Sequence, residues 1–163
     1  DPVVVRPLFR LWYWIAVFLW PDKPKMVRRA LSRPHDFDSC DAAFAFYRSK
    51  RAFSAIADKE LMDYVLAAHA PSDAGVSLRF SGEWEACVYR SPPNTLGRLK
   101  RLQCPTHILG GANSYVITPA VAERLSRIST VDYHTLDAGH LLPMERPEET
   151  AAFVTECISR YET

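Results

Sequence analysis

The chain has 163 residues, of which 48% are hydrophobic and 24% charged, and its formal net charge is +1. This length and balance predict one globular domain with a real core, and the charge indicates neither a nucleic acid nor an acidic partner. Four widely spaced cysteines without a Cys-x-x-Cys pair predict reduced thiols in a cytoplasmic protein, and we expect no metal and no cofactor.

The first twenty residues contain a short β-branched run and a long apolar one. Residues 1–5 predict the end of a strand, and a chain that begins with Asp1 is expected to be a piece of something longer or a processed product. Residues 8–20 are too few to span a bilayer, which needs about 20. Because they are apolar on all sides, we predict a helix buried on several sides, with a membrane-surface role as the less favoured alternative.

The next seventy residues are predicted to be mostly helical. Residues 25–33 carry four basic side chains, which indicates a solvated helix face, and Asp38 or Ser39 can cap the following helix. Asp58 can cap another helix, in which Leu61, Val65 and Ala68 form one stripe. Residues 71–75 are predicted as a loop, 76–80 as a short strand and 82–89 as a short helix.

The pattern changes at about residue 99, where strands and helices alternate. A strand over residues 106–109 enters the glycine-rich loop 110–115, and Thr118 can cap a helix that begins at Pro119. A second strand over 131–136 is followed by a helix with Pro147 at its start and acidic residues in its first turn. This order predicts a βαβα unit built on parallel strands.

His140 is the strongest candidate for a catalytic side chain. It follows Gly139, which would allow a sharp turn after the strand, and a histidine in that place can act as a general base. The segment Gly-His-x-x-x-x-Glu-x-Pro, formed by residues 139–147, resembles the histidine segment of the α/β-hydrolase superfamily.

This resemblance covers essentially the whole chain and implies an α/β fold class. The chain would be a partial α/β-hydrolase fold: the C-terminal βαβα of the parallel sheet together with a mostly helical cap insertion. Residues 1–5 would end a core strand, 6–98 would form the cap (lid), and 99–163 would form the C-terminal part of the core.

The family's catalytic triad comprises a nucleophile, an acid and a histidine, and His140 matches the histidine. The usual acid position lies in the loop after the penultimate strand, but residues 110–115 contain no carboxylate. Some members of the family place the acid after an earlier strand, where Asp1 would lie, so Asp1 is the favoured acid. Asp137 is close to His140 along the chain and is a weaker choice, and Ser114 is interpreted as structural.

The nucleophile motif Gly-x-Ser-x-Gly does not occur in the sequence. The resemblance therefore implies the C-terminal part of a serine hydrolase that acts on a small or medium apolar ester. It would need the N-terminal half of the fold, in cis or in trans, and would be inactive alone. Trp12, Trp14, Phe18 and Tyr115 would contact the substrate. The alternatives are a hydrolase with an aspartate nucleophile (a dehalogenase or an epoxide hydrolase) and a non-catalytic binding module.

Overall fold

A computed structural model of the chain describes the backbone of residues 7–162 and the side chains from residue 10 onward. Asp1 and the strand end predicted for residues 1–5 lie outside the described residues. The described chain forms two compact units. The first comprises residues 7–54 and 58–93, and the second comprises residues 55–57 and 94–162.

The first unit is mostly helical. Its helices are α1 (Pro7–Leu19), α2 (Lys25–Leu31), α3 (Cys40–Arg48), α4 (Asp58–Ala68) and α5 (Gly82–Arg90), and a single 3-10 turn covers Arg51–Phe53. Ser39 is the residue that caps α3, since its hydroxyl accepts a hydrogen bond from the Ala42 N–H at 3.1 Å. The stripe predicted for α4 is also present, because Leu61 and Val65 are fully buried.

Helix α1 is far more exposed than its composition suggested. From Arg10 onward, where its side chains are described, only a narrow stripe is half-buried, made by Arg10, Tyr13 and Val17. The Tyr13 hydroxyl donates a hydrogen bond to the Tyr89 carbonyl at 2.9 Å. The exposed apolar residues of the helix are Leu11, Trp12, Trp14, Ile15, Phe18 and Leu19. The prediction of a helix buried on several sides is therefore wrong, because packing along one stripe leaves the other apolar side chains uncovered.

The first unit also contains a small antiparallel sheet that the sequence patterns predicted only in part. Its strands are β1 (Asp36–Phe37), β2 (His69–Ser72) and β3 (Gly75–Leu78), in the order β1-β3-β2. The prediction of a loop over 71–75 is wrong at both ends, since Pro71 pairs with Val76 and Ser72 with Gly75, and only residues 73–74 form a turn. Gly75 has a φ of +111°, which side chains rarely adopt, and this lets the chain reverse after a two-residue turn.

The second unit has the predicted alternation of strands and helices. Its elements are α6 (Thr95–Leu99), β4 (Thr106–Gly111), α7 (Pro119–Ser126), β5 (Val131–Leu136), α8 (Leu142–Glu145) and α9 (Pro147–Ser159). Strands β4 and β5 are parallel neighbours, from the pair Thr106–Val131 to the pair Gly111–Leu136. The predicted parallel βαβα unit is confirmed, with the short helix α8 as an addition.

An apolar core holds α7 against these strands. Its buried members are Leu96, Ile108, Ile117, Val121, Leu125, Ile128 and Val131. Burial of side chains of this size stabilises the unit by about 1.5–3 kcal/mol each. The core thus holds α7 against β4 and β5, and the candidate site follows the carboxyl ends of these strands. Among the described residues, none of the helices combines the length and the apolar character that a bilayer crossing requires.

Candidate active site

His140 lies in the turn that joins β5 to α8, directly beyond the last pair of the β4–β5 ladder. The loops that follow the two strands stay hydrogen-bonded after the ladder ends. The Ala112 N–H donates to the Leu136 carbonyl at 2.8 Å, and the Asn113 N–H donates to the Ala138 carbonyl at 3.0 Å. The histidine is therefore presented at the carboxyl edge of the parallel pair, where ligands bind in open α/β sheets.

Two glycines make this close approach of loops feasible. A side-chain carbon at Gly111 would overlap the carbonyl oxygen of Gly139 and lie 2.5 Å from that of Ala138. A side-chain carbon at Gly139 would lie 2.7 Å from a carboxylate oxygen of Glu145. Among the described residues only Gly75 has a positive φ, so Gly139 is required for space rather than for an unusual turn conformation.

Glu145 holds the backbone on both sides of the histidine. Its Oε2 atom accepts a hydrogen bond from the Gly139 N–H at 2.6 Å, and its Oε1 atom accepts one from the Leu141 N–H at 3.2 Å. Hydrogen bonds to an ionised carboxylate are stronger than those between neutral groups. This arrangement gives a physical reason for the glutamate five residues after the histidine in the sequence motif.

The His140 ring lies against the ring of Tyr115, which belongs to the loop after β4. The two ring centroids are 5.3 Å apart at an interplanar angle of 63°, an edge-to-face contact. Partial burial lowers the pKa of His140 below its usual 6.5, while the carboxylate of Glu145 acts in the opposite direction. A lowered pKa keeps the imidazole neutral at pH 7, which is the form that accepts a proton.

The loop after β4 is held by its own polar side chains. The Asn113 side-chain amide donates to the Asp137 carboxylate at 2.9 Å. The Ser114 hydroxyl accepts hydrogen bonds from the Val116 and Ile117 N–H groups, at 3.0 and 3.3 Å. These contacts are typical of a turn-forming serine and agree with the structural interpretation of Ser114.

The remaining candidate residues are distributed over the two units. His140 and Tyr115 are in contact within the second unit, whereas Trp12, Trp14 and Phe18 lie on α1 in the first unit and are exposed. Asp1 lies outside the described residues. Sequence reasoning included Glu145 in a motif without giving it a role, and it missed the contact of Asn113 with Asp137, for which no local pattern exists.

A second polar cluster occurs on the same two strands, closer to their amino ends. His107, Asp132 and His134 each offer one nitrogen or oxygen atom, and these three atoms lie within 4.8 Å of one another. Within the described part of the second unit, these are the residues that could hold a metal ion. No sequence pattern pointed to these three residues, because they come together only through the pairing of β4 with β5.

No protein-family model and no curated protein matches the sequence. Solved structures do match. One is E-2-(acetamidomethylene)succinate hydrolase, with 19% identity and a TM-score of 0.68, covering 82% of this chain and 50% of that one. Another is an esterase of M. tuberculosis, with 17% identity and a TM-score of 0.66, covering 96% of this chain and 52% of that one. A third is the peroxisomal alpha-beta-hydrolase Lpx1 of Saccharomyces cerevisiae, with 15% identity and a TM-score of 0.66, covering 86% of this chain and 42% of that one.

These likenesses establish the fold. The chain has the α/β-hydrolase fold and corresponds to its C-terminal portion. It spans about half the length of the structures that it matches.

Proposed function

We propose that this chain, which carries the C-terminal portion of the α/β-hydrolase fold, supplies the general-base histidine and the cap of a serine hydrolase. The observation that carries this proposal is the His140 turn. It follows β5 directly, Glu145 holds the backbone on both sides of the histidine, and Tyr115 lies against the ring.

The proposed chemistry is acyl transfer. A serine hydroxyl attacks the ester carbonyl, and neutral His140 takes the hydroxyl proton and then delivers it to the departing alcohol. No Gly-x-Ser-x-Gly motif occurs in the 163 residues. The nucleophile and the oxyanion hole are therefore proposed to belong to the part of the fold that these residues do not span, supplied in cis or in trans.

Asp1 is proposed as the acid that orients His140. Residues 110–115, where the family usually carries the acid, contain no carboxylate, and the amide of Asn113 is bonded to Asp137. A histidine without a neighbouring anion loses its orientation and the stabilisation of its protonated form. An acid from elsewhere in the fold is therefore needed for catalysis.

The substrate is proposed to be a small or medium apolar ester, and residues 6–98 to be the cap. The support is the apolar surface of α1, on which Trp12, Trp14 and Phe18 are 71%, 50% and 84% exposed, and the exposed ring of Tyr115 beside His140. Apolar walls with a few polar groups are the usual lining of sites for such molecules.

The test is labelling with a fluorophosphonate, which reacts with activated serines. The chain alone and the chain together with the N-terminal half of the fold would be compared. We expect labelling only of the combined protein, with a loss of at least about a hundredfold in rate for His140→Ala and a smaller loss for Asp1→Asn. His35→Ala, at an exposed histidine of the first unit, is the matched control and should not change the rate. Labelling of the chain alone would contradict the proposed division of roles.

One observation favours a second candidate function, a non-catalytic binding module of hydrolase fold. The loop 110–115 has an amide, Asn113, and no carboxylate, which suits a site that no longer needs an acid. The residue at the nucleophile position separates the functions. Serine there supports a serine hydrolase, aspartate supports a dehalogenase or epoxide hydrolase, and alanine or glycine supports the binding module.

A further inference from the structure

Three potential metal ligands converge on one face of the β4–β5 pair. The Asp132 Oδ2 atom lies 3.4 Å from the His107 Nδ1 atom and 2.9 Å from the His134 Nε2 atom. All three atoms are within 4.8 Å of one another. This group is called the His-Asp-His cluster below.

The register of the strands produces the cluster. His107 is the second residue of β4 and pairs directly with Asp132, the second residue of β5. His134 follows Asp132 by two positions, so both side chains project from the same face of β5. His140 follows the last residue of β5, so the cluster is separate from the candidate active site along the strands.

The two imidazole nitrogens that face Asp132 are not used in hydrogen bonds. The His107 Nδ1 and His134 Nε2 atoms are buried and have no hydrogen-bond partner, although both lie near the carboxylate. Buried polar atoms normally have such a partner, so a cation between the three groups would satisfy both nitrogens.

Aromatic residues outside the His-Asp-His cluster contact both of its imidazole rings. The His107 Nε2 atom is 3.0 Å from the Tyr161 hydroxyl, which leaves the Nδ1 lone pair for the cluster when Nε2 carries the proton. The ring of His134 packs edge-on against Phe153, with centroids 4.9 Å apart. A hydrogen bond on the second ring nitrogen, as in His107, is typical of histidines that bind metals.

We propose that the His-Asp-His cluster binds a divalent transition-metal ion of the zinc class, with water completing the coordination. Four ligands around Zn²⁺ lie about 3.3 Å from one another when each bond is about 2.0–2.1 Å long. The observed separations of 2.9 and 3.4 Å bracket that value, and small side-chain rotations would adjust the third. Two imidazoles and one carboxylate suit zinc, nickel or copper, whereas magnesium and calcium prefer oxygen ligands throughout.

The neighbouring charges leave this position available to a cation. Arg160 is close enough to Asp132 to be influenced by its charge, yet its guanidinium is hydrogen-bonded to Glu156 at 2.6 Å. Asp132 is 54% exposed, so an ion can reach its carboxylate from solvent. An open cavity lined by His107, Asp132 and Tyr161 adjoins the cluster.

The experiment is calorimetric titration of the full chain with zinc chloride. We expect saturable binding of one ion, and an affinity at least about tenfold lower in His107→Gln, His134→Gln and Asp132→Asn. Tyr161→Phe removes the hydroxyl that holds His107 and should lower the affinity by about tenfold. The matched control is His35→Gln, because His35 and Asp36 form an exposed pair at 3.0 Å outside the cluster. The zinc affinity of this variant should equal that of the wild type.

Two further readouts keep the result interpretable. Zinc should raise the Tm of the wild type and not that of His134→Gln, with circular dichroism used to check that each variant is folded. Cobalt substitution should give visible bands of four-coordinate Co²⁺ without a thiolate charge-transfer band. Absence of saturable binding, equal affinity in wild type and His134→Gln, or a thiolate band would overturn the proposal. If His107→Gln does not fold, Asp132→Asn alters an exposed ligand and tests the same site.

Discussion

The side-chain amide of Asn113 donates a hydrogen bond of 2.9 Å to the carboxylate of Asp137. This contact joins the loop after β4 to the loop after β5, two residues before Gly139. The backbone of Asn113 contributes a second link, since its N–H donates to the Ala138 carbonyl. Asn113 thus ties the histidine turn to the loop after β4 through both its side chain and its backbone.

The first prediction concerns this pair. Asn113→Asp would replace an amide donor by a second carboxylate beside Asp137, so the hydrogen bond would be lost and two like charges would face each other. We expect the free energy of unfolding to fall by about 1 kcal/mol, because both side chains are exposed. Urea denaturation of the purified chain measures this change in the free energy of unfolding.

The control is the exchanged pair. The double variant Asn113→Asp with Asp137→Asn restores an amide opposite a carboxylate, and it should recover most of the stability that the single variant loses. If the loss of unfolding free energy in the double variant equalled the sum of the losses in the two single variants, the two side chains would not interact.

A second prediction compares two adjacent glycines at the end of β4. Gly111→Ala would press a methyl group into the backbone carbonyl of Gly139, which cannot move without shifting the histidine turn, and we expect a loss of about 1–3 kcal/mol. Gly110→Ala would meet the hydroxyl end of the Tyr133 side chain, which can change its rotamer, and should cost at most about 1 kcal/mol. Denaturant midpoints of the two variants give the comparison, and equal losses would argue against the close approach of Gly111 to Gly139.

A third prediction tests the role of Glu145. Glu145→Ala would leave the N–H groups of Gly139 and Leu141 without their acceptor, so we expect a loss of about 1.5–3 kcal/mol in unfolding free energy. Glu145→Gln keeps one acceptor oxygen and should lose less of the unfolding free energy than Glu145→Ala. Glu149→Ala, at an exposed position in the first turn of α9, serves as the control and should stay within about 0.5 kcal/mol of the wild type. Chemical denaturation measures these changes, and equal stability of Glu145→Ala and the control would contradict the proposed role.

A fourth prediction concerns the protonation of His140. Burial holds its pKa below 6.5, and the Tyr115 ring provides part of the cover. Tyr115→Ala should therefore raise the pKa of His140 toward 6.5, since water would stabilise the charged imidazolium. Tyr115→Phe keeps the ring and should leave the pKa low.

Proton NMR titration of the imidazole measures this pKa, with the His140 signal assigned by its loss in His140→Gln. An unchanged pKa in Tyr115→Ala would mean that other groups exclude water from His140. If His140 acts as the general base, activity of the complete enzyme should fall as the pH drops through the same pKa, because only the neutral imidazole accepts a proton.

The βαβα unit could be predicted from the sequence because its signals are local. The run 131–136, with Val131, Tyr133 and Thr135 at alternate positions, forms β5. Pro119 begins α7, and Pro147 with acidic residues after it begins α9. Each signal acts through backbone geometry or charge within one helical turn or a few strand residues. The same holds for His140 and Glu145, whose spacing forms a motif within a single short segment.

Other features depend on segments that are remote in the chain. Strand β2 forms because it pairs with β3, with Pro71 opposite Val76 and Ser72 opposite Gly75, although the local sequence is typical of a turn. Helix α1 carries more apolar residues than its contacting stripe can cover, and only the packed structure decides which of them stay exposed.

The sequence by itself determined the type and order of the C-terminal elements and the position of the histidine turn, because these follow from the conformational preferences of adjacent residues. The tertiary structure alone decided the approach of Gly111 to Gly139, the bond from Asn113 to Asp137 and the His-Asp-His cluster. Each of these depends on the register in which β4 and β5 pair. That register places Ile108 and Val131 in a core shared with α7, a contact between segments that are remote in the chain.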